Sequence, residues 1–256
     1  MQLGTLMSIG LAAAACSSER SSIVTQNRSP PPSSSAPRLE IKRNFRKEGA
    51  WSFDYRQTMT SSLNDSEKMD ANATGELTVT SNQDGTAKGR MSLQLTSTPG
   101  AGTPRSVHDT MDLTFTESTV VGTRGDSMQA LTTMLMPAPT RPLHVGETAT
   151  TTFSIPLTTQ GSAQPISGPM TLTLVGYDTV RGVQCARIES RVRLDQTVEG
   201  SRVRVDLDGN ACIDPGDALI RTSSVEFLME LSMKDGLRGY GPETMKLTGR
   251  LELDRR

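Results

Sequence analysis

The sequence predicts a mainly β protein: one large antiparallel sheet with a single short helix. Three observations carry this reading. Apolar residues recur at every second position through most of the chain beyond residue 46. Thr, Ser, Val and Leu are plentiful and aromatic residues make up only 4%. Clusters of Gly, Asn and Asp separate the alternating runs. Alternation marks a strand with one buried face, and short polar turns join antiparallel neighbours.

In chain order, residues 1–15 come first. Leu3 to Ala15 form an apolar run of the length of a signal-peptide core, too short to span a bilayer as a helix. The small residues Ala13, Ala14 and Ala15 before Cys16 resemble the lipobox of bacterial lipoproteins, in which the cysteine thiol is acylated before cleavage. That resemblance makes Cys16 the lipidation site and the anchor to a membrane. Ser17, which is not Asp, then implies the outer membrane of a Gram-negative cell envelope. The alternative is a secretory signal followed by a free thiol. Residues 16–45 read as a tether. The stretch 17–38 is rich in Ser and Pro, with almost nothing apolar to offset the entropy of ordering.

Residues 46–256 read as one β-rich domain in two halves, about 46–136 and 143–256. Trp51, Phe53 and Tyr55 share one face of the first strand. Leu77 and Val79 follow, then Met91, Leu93 and Leu95, then Met111, Leu113 and Phe115. The second half brings Phe153, Ile155 and Leu157, then Met170, Leu172 and Leu174. Val225, Phe227, Met229, Leu231 and Met233 alternate near the end, and Met245, Leu247, Leu251 and Leu253 do so around Gly249. Between the halves, Met128, Leu131 and Leu135 recur at helical spacing. Asp126 or Ser127 can cap that helix and Pro137 ends it. Pro137, Pro139 and Pro142 mark the crossover.

Segment 184–210 can be paired explicitly. A turn centred on Val198 and Glu199 sets Ile188, Ser190, Val192 and Leu194 opposite Gly209, Leu207, Val205 and Val203. One face is then mostly apolar and the other charged. Two charged pairings are like-signed, Glu189 with Asp208 and Arg193 with Arg204. The same register faces Cys185 with Cys212, close enough for a disulfide after small adjustment. The alternative is two free thiols.

A formal net charge of −1 gives no electrostatic footprint for nucleic acid. His108 and His144 lie in different halves, without metal-ligand neighbours in sequence, and no nucleophile or metalloprotease motif is present. Asp206, Asp208 and Asn210 alternate like the start of a calcium loop, and Asp214 and Asp217 follow, but Gly209 falls at the wrong position for one. Met134 and Met136 could be a soft-metal pair, but among 13 methionines core packing explains them better. Asn27, Asn64 and Asn72 begin N-x-S/T sequons. No metal, cofactor or catalytic group is assigned, and an enzyme is not expected.

Val145-Gly146-Glu147 after the Pro-rich break, and Gly182-Val183-Gln184-Cys185-Ala186-Arg187-Ile188, resemble a group of uncharacterised bacterial lipoproteins. The resemblance covers most of 48–253. It implies an architecture similar to the LolA/LolB lipoprotein carriers: a strongly curved sheet, or half-barrel, packed on a short helix. Two functional expectations follow. One is a module binding a lipid or other apolar ligand in the concave face, lined by Trp51, Phe53, Met91, Met111, Met170, Phe227 and Met229. The other is a structural or interaction lipoprotein with a filled core.

Overall fold

The computed structural model describes residues 39–256, apart from 41–42, 44, 47, 65–66, 83, 100–102, 118–119, 123–132, 160–161, 199 and 234–241. The signal segment, Cys16 and the Ser/Pro stretch lie outside the described residues.

The alternating runs form the strands β1 (Ala50–Leu63), β2 (Glu67–Ser81), β3 (Ala87–Pro99), β4 (Arg105–Phe115), β5 (Val120–Gly122), β6 (Thr148–Thr159), β7 (Ser162–Val180), β8 (Val183–Val198), β9 (Ser201–Ile213), β10 (Ile220–Met233) and β11 (Glu243–Arg255). All belong to one antiparallel sheet in the order β5-β4-β3-β2-β1-β11-β10-β9-β8-β7-β6. Each half is a meander, and the first and last strands join them, with Tyr55 opposite Leu253 and Leu63 opposite Met245. Of the segment read as a helix, residues 126–132 lie outside the described residues. Thr133–Leu135 form a helical turn.

The sheet is open and curved, as a half-barrel. Laid flat, ten inter-strand spacings would hold β5 and β6 about 48 Å apart. Leu39 pairs with Leu143 through two backbone hydrogen bonds of 2.8 and 2.9 Å. Three residues later Gly146 donates to the carbonyl of Leu174 in β7. Only four residues beyond Leu39, the Arg43 N–H donates to the Glu117 carbonyl between β4 and β5. Four residues reach at most about 14 Å. The two ends of the sheet therefore come round toward one another, and the described residues between Leu39 and Gly49 form a strap that ties them together. The packed domain thus includes Leu39 and Phe45, which are buried in the core although the sequence places them at the end of the tether. The Ser81 hydroxyl donates to the Phe45 carbonyl, and the Phe45 ring meets Trp51 and Phe115 edge-on.

The inner face carries the apolar member of each alternation. Phe53, Leu77, Leu113, Phe153, Leu172, Val192, Leu207, Val225 and Leu251 are buried there in one continuous cluster. Met134, Leu135, Met136 and Leu143 of the crossover pack into it.

The exposed edge is blunted. At the start of β6, the carbonyls of Thr148 and Thr150 point away from β7 and accept from Arg141 and Thr140. Pro156 has the same parity in β6, so the edge presents no N–H at that point. Its partner Pro165, like Pro169 opposite Thr152, faces β8 without a donor. Accordingly β7 pairs with β8 only from Met170 onward.

The β8–β9 hairpin corrects the expected register by two residues. Ile188 faces Ala211, Ser190 faces Gly209, Val192 faces Leu207 and Leu194 faces Val205. Val198 pairs with Ser201, and Gly200 between them has φ +80°, a conformation glycine adopts without steric cost. An even slip keeps each side chain on its expected face. Cys185 and Cys212 are bonded, with Cα atoms 5.4 Å apart, as a diagonal pair rather than directly opposite.

Candidate functional site: the inner face and its uncovered end

Inner-face side chains are sealed toward one end of the strands and bare toward the other. Strand β4 shows the gradient along a single line: Phe115 is 0% exposed, Leu113 2% and Val107 37%. Next to it on β3, Leu93 and Leu95 are half-buried, as is Met111 on β4. On β2, Met69 is 40% exposed. Beyond β3 the inner face of β2 is lined by Gly75, Ala73 and Ala71, and Leu93 leans over Gly75 closely enough to leave no room for a Cβ there. The patch is flexible and low-walled, and apolar but for Asp109, which lies half-buried opposite Leu93. Side chains pointing inward yet meeting water are the unusual feature, since isolated surface apolar groups on an outer face need no explanation.

The seven residues named from sequence divide accordingly. Phe53, Met91, Met170, Phe227 and Met229 are buried core side chains. Met111 belongs to the uncovered patch. Trp51 lies at the opposite, sealed end, half-buried beside Phe45. The sequence placed all seven on the correct face of their strands, but alternation cannot tell how far along a strand the cover extends.

The sealed end is closed by a polar buckle. The Trp51 indole N–H donates to Asp217 at 3.0 Å, and Arg255 pairs with the same carboxylate at 2.8 Å. Asp214, itself buried, accepts from Arg221 and from the Gly216 N–H. Asp206 pairs with Arg193 and Arg204, and Asp208 with Arg191 and Arg193. Partial burial pushes the Asp208 carboxyl up, but Arg193 and Arg191 outweigh it and hold the group below the usual carboxylate range. The acidic run that suggests a calcium loop is therefore committed to arginines. Further along the inner face, Tyr55 donates to Gln57, and burial drives its phenol far above the ordinary value.

Gly49 makes room for Trp51. A Cβ at 49 would sit 2.6 Å from the indole ring. Gly49→Ala should therefore push the ring outward and break its bond to Asp217, at about 1–2 kcal/mol. The measurement is Trp51 emission, since the chain has one tryptophan. A red shift with a lowered melting point is expected; an unchanged spectrum would contradict the contact.

The polar face also has a hollow, a trough of about 660 Å³ across β2, β1, β11, β10 and β9. One rung of it reads Asn72, Thr58, Arg250, Glu226, Asp208. Arg250 pairs with Glu226 at 3.4 Å, so the rung satisfies itself. His108 stands exposed on β4, and His144 lies in the crossover, where its backbone N–H donates to Glu147. Among the described residues no group of His, Cys, Asp and Glu could hold a metal ion.

No protein family and no curated protein matches this chain. Solved structures do. A lipovitellin structure titled for its lipid–protein interactions is 10% identical, with a TM-score of 0.45, over 81% of this chain and 25% of that one. The chain thus spans a quarter of that protein's length. Two Pseudomonas aeruginosa structures also align. OpdQ is 8% identical over 72% of this chain and 63% of its own, and OccK7 (OpdD) 7% identical over 82% and 99%, each with a TM-score of 0.19. TM-scores this low define neither a family nor a function.

Proposed function

We propose that this chain is a lipid-anchored lipoprotein of the bacterial cell envelope whose β domain holds an apolar ligand on the uncovered end of its inner face. The observation that carries the ligand is the bare, inward-facing patch of Leu93, Leu95, Val107 and Met111. Inward apolar side chains left in water gain free energy when covered, at about 25 cal/mol per Å². Leu and Met side chains there repack around guests of varied shape. The anchor rests on the lipobox resemblance at Cys16 and on the Ser/Pro tether that joins it to the strap. It sets the domain at a membrane surface, where acyl chains are the abundant apolar solute. The reading assigns no catalysis.

Binding is tested with a fluorescent fatty acid and a lysophospholipid. Saturable binding is expected, weakened at least tenfold by Val107→Glu or Leu95→Asp. Val107 is exposed enough for its variant to keep the wild-type melting point. Undiminished binding in both variants would remove the patch as the site. Anchoring is tested by labelled palmitate, whose incorporation Cys16→Ser should abolish.

A second reading has its own support. Phe53, Met170, Leu172 and Leu174 have no exposure at all, so the deep core is already filled. A structural envelope lipoprotein without ligand would look the same there. It becomes the better account if no lipid binds saturably.

A further inference from the structure

Arg43 is the one buried cation among the described residues, and it has no carboxylate partner. It sits in the strap between Leu39 and Phe45, both core side chains, and is 5% exposed. Its Nη2 donates to the Met136 carbonyl at 3.1 Å, while Nη1 has no hydrogen-bond partner. Among the described residues, other strongly buried ionic groups of the sealed end have ion-pair partners, Asp214 with Arg221 and Arg255 with Asp217, although Arg255 Nη1 also lacks a hydrogen bond. Burial alone drives the Arg43 guanidinium down to about 10, still charged at neutral pH. A guanidinium offers five donors in a planar fork suited to two oxygens of one anion. A buried cation held by one carbonyl is an incomplete arrangement.

We propose that Arg43 receives the anionic oxygens of a bound amphiphile, a carboxylate or phosphate headgroup, whose apolar chain runs along β4 toward Val107. This deepens the apolar-ligand reading above and rests on it. Three features support the assignment. The Arg43 backbone is fixed to Glu117, just past Phe115, so the cation lies at the sealed end of β4. From Phe115 to Val107 the strand covers about 26 Å, comparable to a long acyl chain with its headgroup, and because Phe115 and Leu113 are covered in the ligand-free domain the chain must displace the side chains packed over them. The peptide that Arg43 touches belongs to Met134-Leu135-Met136, whose unbranched methionines can repack to admit an oxygen-bearing group. The same chemistry could be met by free phosphate, and the test separates the two.

The experiment uses the full chain and four probes: palmitate, hexadecyl phosphate, hexadecanol and inorganic phosphate. Wild type should bind palmitate and hexadecyl phosphate about 10- to 100-fold tighter than hexadecanol. Arg43→Met should bind all three chains alike, at the hexadecanol level, and Arg43→Lys should keep part of the preference. Arg43→Met removes an unpaired buried charge, so it should melt at or above the wild-type temperature and report on binding rather than on folding. Equal wild-type affinity for palmitate and hexadecanol would overturn the headgroup assignment while leaving the apolar site standing. So would an unchanged preference in Arg43→Met. If inorganic phosphate raises the wild-type melting point, but not that of Arg43→Met, and hexadecyl phosphate binds no tighter than inorganic phosphate, the partner is a free anion and the amphiphile is excluded. If no chain-bearing probe binds, the apolar reading itself fails.

Discussion

Removing the Cys185–Cys212 bridge should cost about 3–4 kcal/mol of unfolding free energy. The bond closes a loop over a sequence separation of 27, which confines the unfolded chain, and its Cα distance of 5.4 Å lies in the ordinary range. Both sulfurs are buried, so Cys185→Ala with Cys212→Ala is the fitting replacement; serine would add buried hydroxyls. Local consequences follow as well. Cys212 precedes the Asp214–Asp217 turn, whose carboxylates hold Arg221, Arg255 and Trp51. Loosening β9 there should free the indole before the sheet as a whole unfolds. Urea titrations followed separately by Trp51 emission and far-ultraviolet dichroism measure both effects. An unchanged midpoint in the double variant, or under reductant, would mean that the bridge contributes nothing to the fold.

How the hairpin beside that bridge went astray shows what sequence could reveal. A turn placed one position early gives a register shifted by two. The shift is invisible to hydrophobic patterning, because alternate positions return to the same face. Two local signals favour the observed pairing. Gly200 is the residue able to take a positive φ in the turn. In the observed register the like-signed pairs disappear: Arg193 faces Asp206, Asp195 faces Arg204, and Glu189 faces Asn210. The pairing of β1 with β11 had no comparable signal, since no turn joins them and 180 residues separate Leu63 from Glu243. The strap was hidden for the same reason. Leu39, Ile41 and Phe45 alternate in sequence with Arg43 among them, but the charge masks the pattern. Trp51, Phe115 and Ser81, brought together by the sheet, help to give Phe45 a place to pack. The candidate site was legible as a face and not as a place on it. Val107 and Phe115 both follow the alternation, and what distinguishes them is the cover supplied by the strap and the crossover.

A large effect is also expected at Gly249. The sequence marks it only as a gap in the alternation of β11. In the sheet it lies between Met59 of β1 and Phe227 of β10, on the inner face. A Cβ there would fall 2.5 Å from Cζ of Phe227 and 2.5 Å from the carbonyl oxygen of Thr58. The first obstacle is a side chain that can turn aside. The second is backbone in a paired strand at the middle of the sheet, and it can move only by distorting the β1–β11 ladder that joins the two halves. This separates Gly249 from Gly49, where the obstructing atoms belong to one indole ring. Overpacking commonly costs about 1–3 kcal/mol, so Gly249→Ala should reach the upper end of that range and Gly249→Val should exceed it. Phe227→Ala alone should cost about 3–5 kcal/mol through lost burial. The double variant Gly249→Ala with Phe227→Ala separates the two obstacles. Relief of the ring clash should make the pair less than additive, yet a penalty for the methyl group must remain, because the Thr58 carbonyl is still in its way. Denaturant midpoints of wild type, both single variants and the double variant complete the cycle. If the methyl group costs nothing once Phe227 is gone, the backbone is not the obstacle, and Gly249 serves only to seat the aromatic ring.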